Sequence, residues 1–173
     1  MVITGPMVDD LLAREKDISH VSDAVAIAID FENRTRTFYQ ALQERVTNKH
    51  LVDLLEFLAS EELSHVDHLK SFGKTQDSSA VPDDAQAAFK RKVEEVMVKV
   101  SGEVEPTAEQ IQLLLGAMRV ERQAEDLYRE LAHRFANDTE IAGFFALLAA
   151  FERTHYDLLD GIFAQVDDFR MQS

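Results

Sequence analysis

The chain has 173 residues, of which 46% are hydrophobic, and its formal charge is −14. This length and composition predict one folded domain over residues 1–173 with a sizeable core, and they exclude a disordered chain. The acidic charge argues against a nucleic-acid groove or an anionic membrane as partner, and the absence of cysteine excludes disulfides, thiolate metal sites and cysteine nucleophiles.

The first 19 residues contain four acidic side chains and no basic segment followed by an apolar run. This pattern is not that of a signal peptide. No uncharged apolar stretch approaches the roughly 20 residues that are needed to span a bilayer. We therefore expect a cytoplasmic protein without a membrane partner.

Five helices are predicted from apolar residues that recur every three or four positions, which indicates an all-α fold. Their approximate ranges are 22–46, 48–72, 85–100, 107–136 and 138–169. Gly73 is expected to end the second helix, and Gly102 and Pro106 to end the third. Thr107 and Gln110 predict a capping box at the start of the fourth.

The crossover over residues 74–106 is long enough to travel the length of a helix bundle. Its short helix has an apolar side that must pack either on the bundle or in a dimer interface; that side comprises Ala85, Phe89, Val93, Val96, Met97 and Val100. A crossover of this length also permits the exchange of helices between subunits. The sequence leaves these alternatives open, and we expect a homodimer.

Each of the four long helices carries an apolar stripe that ionisable residues interrupt near its middle. In the second helix the stripe is Leu51, Leu55, Leu58, Glu62, His65, Leu69 and Phe72. Over all four helices the interrupting residues are Glu32, Glu62, His65, Glu121, Glu152 and His155. They occupy positions where the pattern calls for leucine.

A buried, ionised glutamate costs several kcal/mol, and four of them would also repel one another. Something must therefore compensate their charge. Two divalent cations would supply four positive charges, which balance four carboxylates while both histidines stay neutral.

The two halves of the chain repeat this arrangement. Glu62 follows Glu32 by 30 residues and begins a Glu-x-x-His motif, and Glu152 follows Glu121 by 31 residues and begins another. The repeat predicts an internal duplication of a helical hairpin, with a pseudo-two-fold axis through the site.

Tyrosines occupy matching positions in the two halves. Tyr39 follows Glu32 by seven residues, as Tyr128 follows Glu121, so each lies two turns away on the same stripe. Their hydroxyls are candidates for orienting the ligand carboxylates. A core aromatic ring with a satisfied hydroxyl is the alternative.

A third Glu-x-x-His motif, Glu130 to His133, shows that the motif alone has weak specificity. Glu130 follows Glu121 by nine residues, half a turn out of phase with the stripe, so we expect it at the surface. His68 is expected to be partly exposed. Glu61 is expected to be solvated, because it is rotated off the stripe.

At positions i and i+3 a glutamate and a histidine are neighbours on one helix face. Carboxylate oxygen with imidazole nitrogen suits iron or manganese. One glutamate from each of two helices and a Glu-x-x-His from each of two others is the ligand set of ferritin-like di-metal bundles. The six stripe residues therefore predict a site for two ions of iron, of manganese, or of both.

Four segments resemble the rubrerythrin branch of the ferritin-like superfamily, within a similarity that spans about 22–169. They are 32–39 (ENRTRTFY), 58–65 (LASEELSH), 121–128 (ERQAEDLY) and 148–155 (LAAFERTH). The resemblance implies a four-helix bundle with a di-iron centre. It also implies that Glu62 and Glu152 bridge the two metals and that Glu32 and Glu121 are terminal ligands. His65 and His155 would bind one metal each.

The chain departs from the rubrerythrins in two ways. They usually carry a rubredoxin-like iron module built on cysteine pairs, whereas this chain would need a separate electron donor. They also carry an extra glutamate three residues after the first ligand of the third bundle helix, where this chain has Ala124. Glu125 lies about 100° further round that helix.

We therefore expect a redox protein in which Fe(II) reacts with peroxide or O2. One alternative is an iron-binding, storage or delivery protein without turnover. The other is a purely structural bundle, which would leave its core carboxylates uncompensated.

Overall fold

The computed structural model describes residues 13, 18–76, 81, 84–100 and 107–172, with the backbone alone at 85–86, 99–100 and 165–172. This part of the chain is helical, as predicted. Its five helices are α1 (Val21–Gln43), α2 (Lys49–Thr75), α3 (Ala85–Val100), α4 (Ala108–Arg134) and α5 (Thr139–Gln172). None of the helices in this described part of the chain is both long and apolar enough to cross a membrane.

The long helices form an all-α bundle from two hairpins. α1 packs along α2 and α4 packs along α5, and the short loops at 44–48 and 135–138 make each pair antiparallel. α1 also contacts α4. α3 packs on α2 and α5, so its apolar side lies on the bundle.

Side chains cap the starts of α2, α4 and α5, and the cap of α4 was predicted. The Thr107 hydroxyl accepts a hydrogen bond from the Gln110 backbone at 3.3 Å, and the Gln110 side chain accepts one from the Thr107 backbone at 2.9 Å. The predicted capping box is therefore confirmed. The ends predicted at Gly102 and Pro106 lie outside the described residues.

Gly73 does not end α2, contrary to the prediction. The helix continues to Thr75, and Gln76 closes it in the left-handed conformation, with φ 52°. The glycine serves close packing instead, because a Cβ at position 73 would lie 3.1 Å from Cγ1 of Val25 on α1. Gly73 thus lets α1 and α2 approach each other closely.

The predicted stripes are the buried faces of the helices. Every member of the α2 stripe is buried, and so are the ionisable residues that interrupt the stripes of the other long helices. The apolar residues form two clusters, one at each end of the bundle. The ionisable stripe residues lie between these clusters.

We expect Phe72→Ala to lower the free energy of unfolding by about 3–5 kcal/mol. The Phe72 ring is fully buried and stacks on Phe144 with the ring centroids 3.8 Å apart, so alanine would leave a cavity. For a domain of this size the melting temperature should fall by roughly 6–20 °C, which thermal unfolding followed by circular dichroism measures. Leu115→Ala, at a partly exposed site, is the control, and an equal loss there would contradict the prediction.

Candidate metal centre

The six ionisable stripe residues converge in the middle of the bundle, and all of them are buried. They form two groups in which one ligand atom from each residue lies within 4.8 Å of the others. The first group is Glu32, Glu62, His65 and Glu152, and the second is Glu62, Glu121, Glu152 and His155. The structure therefore brings together every residue that the sequence analysis proposed as a ligand.

Glu62 and Glu152 belong to both groups, which is the placement that a bridging ligand requires. Both imidazoles face the carboxylates through Nδ1. Nδ1 of His65 lies 2.9 Å from Oε1 of Glu152, and Nδ1 of His155 lies 3.2 Å from Oε2 of Glu121. The two imidazole rings stack with their centroids 5.3 Å apart.

Most of the carboxylate oxygens in the cluster lack a hydrogen bond. Within the described part of the chain, both oxygens of Glu62, both oxygens of Glu152 and Oε2 of Glu32 are buried without such a partner. The 2.9 Å approach of His65 to Glu152 is an ion-pair contact that lacks hydrogen-bond alignment. Buried carboxylates are ordinarily satisfied, because an unpaired buried charge is costly. Cations would satisfy these oxygens, so the cluster can bind metal.

Two tyrosine hydroxyls hold the outer carboxylates. Tyr39 on α1 donates to Oε1 of Glu121 on α4, and Tyr128 on α4 donates to Oε1 of Glu32 on α1. Each tyrosine therefore contacts the carboxylate of the other hairpin. Burial, reinforced by the nearby carboxylates, raises the pKa of both tyrosines well above 10, so both hydroxyls remain donors at neutral pH.

Removing either hydroxyl should weaken metal binding about 10–100-fold, as is usual when a ligand loses its outer hydrogen-bond partner. Tyr39→Phe and Tyr128→Phe are the variants, and competition with a chelator of known affinity measures the change. Tyr156→Phe is a control, because Tyr156 is half-buried beside Arg122 and Arg153 and contacts neither ligand carboxylate in the contacts described. Unchanged affinity in both core variants would show that these hydrogen bonds do not support the ligands.

The metal-free cluster retains protons. Burial, together with the charges of Glu32 and Glu152, raises the pKa of Glu62 well above 4.5. Burial also raises the pKa of Glu121 to about 7, against the opposing effect of His155. Burial by itself would lower the pKa of His155, but the facing Glu121 and Glu152 outweigh it and raise that pKa to about 10.

His65 and Glu152 follow the same electrostatic logic. Burial opposes the charged form of His65, yet Glu152 and Glu32 raise its pKa. Burial likewise opposes ionisation of Glu152, but His65 and His155 lower its pKa. The pKa values of Glu62 and Glu152 shift in opposite directions because Nδ1 of His65 lies 3.7 Å from the carboxylate of Glu62 and 2.9 Å from that of Glu152. The protons belong to the cluster as a whole, and an entering cation must displace them.

The third Glu-x-x-His motif lies outside both ligand groups. Glu130 is half-buried and pairs with Arg134 at 3.5 Å, and His133 is exposed. His68 is half-buried, as predicted. These positions agree with the phase of the helix, which turns residues 130 and 133 away from the stripe.

Glu61 is buried at 8% exposure, whereas the sequence analysis expected it to be solvated. The reason is α3, which packs on this side of α2. Oε1 of Glu61 lies 3.5 Å from Nζ of Lys92 on α3. The helical pattern of α2 alone carries no information about this contact.

Like Glu61, Glu125 is a buried carboxylate outside the ligand groups, at 2% exposure. Its burial was not predicted from the sequence. Its Oε1 contacts Arg129, and its Oε2 lies 3.9 Å from Nη1 of Arg153. The arginine four residues later was a visible signal for this pairing. Glu125 belongs to neither ligand group, and Ala124 occupies the stripe position beside it.

The fold and the site define an all-α bundle protein whose buried carboxylate–histidine cluster can bind metal ions. Comparisons of the chain with protein-family models, curated proteins and solved structures gave no match.

Proposed function

We propose that the chain is a di-iron carboxylate oxidoreductase, similar to the rubrerythrins and built on a ferritin-like bundle, in which Fe(II) reacts with peroxide or O2. The observation that carries the proposal is the pair of overlapping ligand groups that share Glu62 and Glu152. A purely structural bundle would hold the same carboxylates in its core without compensation.

The donor set favours iron, manganese or a mixed pair. Carboxylate oxygens and imidazole nitrogens suit these metals, and the chain has no thiolate. Two divalent ions would balance four carboxylates. In this assignment Glu62 and Glu152 are the bridging ligands, and Glu32 and Glu121 are the terminal ligands. His65 and His155 bind one ion each.

Bound Fe(II) would supply electrons for reduction of the oxidant. The chain's own residues prepare the site for this chemistry. The hydroxyls of Tyr39 and Tyr128 each hold one oxygen of an outer carboxylate, which leaves the second oxygen to face the cluster. The apolar clusters at either end exclude bulk water. A separate electron donor would regenerate Fe(II), because this chain has no cysteine-based module.

Fe(II) oxidation tests the proposal. Protein loaded with Fe(II) under anaerobic conditions is mixed with peroxide or O2, and stopped-flow absorbance follows the oxidation. The wild type should oxidise iron faster than the Glu62→Ala, Glu152→Ala double variant. Glu130→Ala changes only the third motif and should match the wild type. Equal rates in the wild type and the double variant would reject the redox function.

Iron handling without turnover is the second candidate, and the surroundings of the cluster favour it. Ala124 stands where the rubrerythrins have an extra glutamate, and the neighbouring Glu125 is engaged by Arg129 and Arg153. Tight iron binding without consumption of oxidant would support this candidate. A large shell on size-exclusion chromatography would indicate storage, whereas the proposed homodimer, with or without exchanged helices, would argue against it.

The identity of the bound metal has a direct test. Crystals of the purified protein should show anomalous scattering at the iron edge, at the manganese edge, or at both. The two peaks should lie among the carboxylates of the shared ligand groups. Peaks elsewhere in the bundle would contradict the assignment of the ligands.

A further inference from the structure

α3 contacts the ligand cluster through Phe89. Among the described side chains of α3, Phe89 is the one that is buried, at 3% exposure, whereas Val93 and Met97 are half-buried. The ring of Phe89 meets the imidazole of His155 at 65°, with the centroids 5.0 Å apart. A crossover helix thus places an aromatic ring directly on a proposed metal ligand.

Two more rings extend this contact across the imidazoles. Phe89 stacks on Phe57 of α2 at 5.9 Å and meets Phe151 of α5 edge to face at 5.5 Å. Phe151 in turn lies 5.5 Å from the ring of His65. We call Phe57, Phe89 and Phe151 the aromatic cover, because it touches both imidazoles on the side of the bundle that α3 occupies.

The aromatic cover makes the surroundings of His155 apolar. Nε2 of His155 is buried and has no hydrogen-bond partner within the described chain. A ligating histidine ordinarily donates its second N–H to a carboxylate, a carbonyl or water. Here Phe89 packs against the imidazole, so removing that ring would open the ligand to solvent.

α3 is attached more weakly than the long helices are. Its ion pair with α2 joins Nζ of Lys92 to Oε1 of Glu61 at 3.5 Å, and Lys92 is 61% exposed, so the pair contributes little. Near the other end of α3, Met97 packs over Gly161 of α5. A short helix with one buried side chain among those described is expected to separate from the bundle at a lower free energy than the core does.

We propose that Phe89 controls access to the metal centre and selects ligands by size. With α3 in place, the ring excludes chelators and other bulky ligands from the His155 side. Molecules the size of O2 or peroxide enter through small displacements of α3. This inference rests on the metal binding proposed above and names the residue that regulates entry.

Iron release to ferrozine, a bulky anionic chelator, tests this inference. The wild type and the variants are loaded with Fe(II) under anaerobic conditions, and the coloured complex is followed in excess ferrozine. Phe89→Ala should release iron at least about tenfold faster, because it removes a contact that only the docked helix makes. Phe89→Leu should give an intermediate rate. Phe72→Ala also removes a phenylalanine ring, but at a site away from the cluster, and its release rate should stay close to that of the wild type.

The outcomes separate the two proposals. Equal release from the wild type and Phe89→Ala, both loaded with iron, would overturn the role of Phe89 alone. Equal acceleration in Phe89→Ala and Phe72→Ala would overturn it too, because the effect would report general destabilisation. Failure of the wild type to bind iron would overturn the proposed function and this inference together. Should Phe89→Ala not fold, Phe89→Leu carries the same comparisons.

Discussion

Replacing Glu62 or Glu152 with alanine should abolish the binding of both metal ions, whereas replacing Glu32 or Glu121 should weaken mainly one of them. The reason is that Glu62 and Glu152 belong to both ligand groups, and Glu32 and Glu121 belong to one group each. Loss of an outer hydrogen-bond partner alone costs about 10–100-fold in metal affinity, so loss of a shared ligand should cost more than about 100-fold at both ions.

Metal content per chain measures this difference. Each protein is loaded with Fe(II) under anaerobic conditions and desalted, and its iron is quantified by mass spectrometry. The wild type and the control Glu130→Ala should retain two ions. The two shared-ligand variants should retain almost none, and the variants of Glu32 and Glu121 close to one. One tightly bound ion in both Glu62→Ala and Glu152→Ala would contradict the sharing of these ligands.

Removal of the metal should lower the melting temperature by roughly 5–16 °C. A ligand that binds only the folded chain adds about 2.7 kcal/mol at 100 times its dissociation constant and about 4.1 kcal/mol at 1,000 times. For a domain of this size each kcal/mol corresponds to about 2–4 °C. The molecular cause is that the metal-free chain leaves the buried oxygens of Glu62 and Glu152 without partners.

The stabilisation of the fold by bound metal should increase with pH. In the metal-free protein the pKa of Glu121 is raised from 4.5 to about 7, and that of His155 from 6.5 to about 10. Over this range the folded chain holds protons that the unfolded chain has released, so the stability of the metal-free protein falls as the pH rises. Metal ions compete with the same protons, and their binding therefore tightens as the pH rises.

Thermal unfolding with and without saturating Mn(II), at about pH 6 and about pH 8.5, checks both statements. The gap in melting temperature between the two forms should be wider at the higher pH. The lowered pKa of Glu152 does not alter this expectation, because its stabilising effect is lost only as the pH falls below about 4.5. The Glu62→Ala, Glu152→Ala double variant should show no gap. A gap that narrows with pH would contradict the proton competition.

The helical period was sufficient to predict the burial of the stripe residues. A residue's phase on a helix determines the face it occupies, and this depends on the local sequence alone. The stripe of α2 is accordingly buried along its length, and the ionisable residues within the four stripes converge. The same reasoning placed Glu130 and His133 away from the ligand groups, although their motif is identical.

Contacts between helices could not be predicted in this way. The burial of Glu61 depends on where α3 packs, and the need for a glycine at position 73 depends on the close approach of Val25. The pairing of Tyr39 with Glu121 joins residues 82 positions apart and depends on the direction of α4 relative to α1. None of these contacts leaves a periodic signal, because each one is set by the relative placement of two elements.

The crossed tyrosines also bear on how the chain unfolds. A hairpin of α1 and α2 alone would leave its apolar stripes exposed to water and Glu32 without the hydroxyl of Tyr128, and a hairpin of α4 and α5 alone would leave Glu121 without that of Tyr39. Each hairpin lacks contacts that only the other hairpin supplies. Unfolding of one hairpin therefore destabilises the other. We therefore expect the two hairpins to form a single cooperative unit and to unfold in one transition.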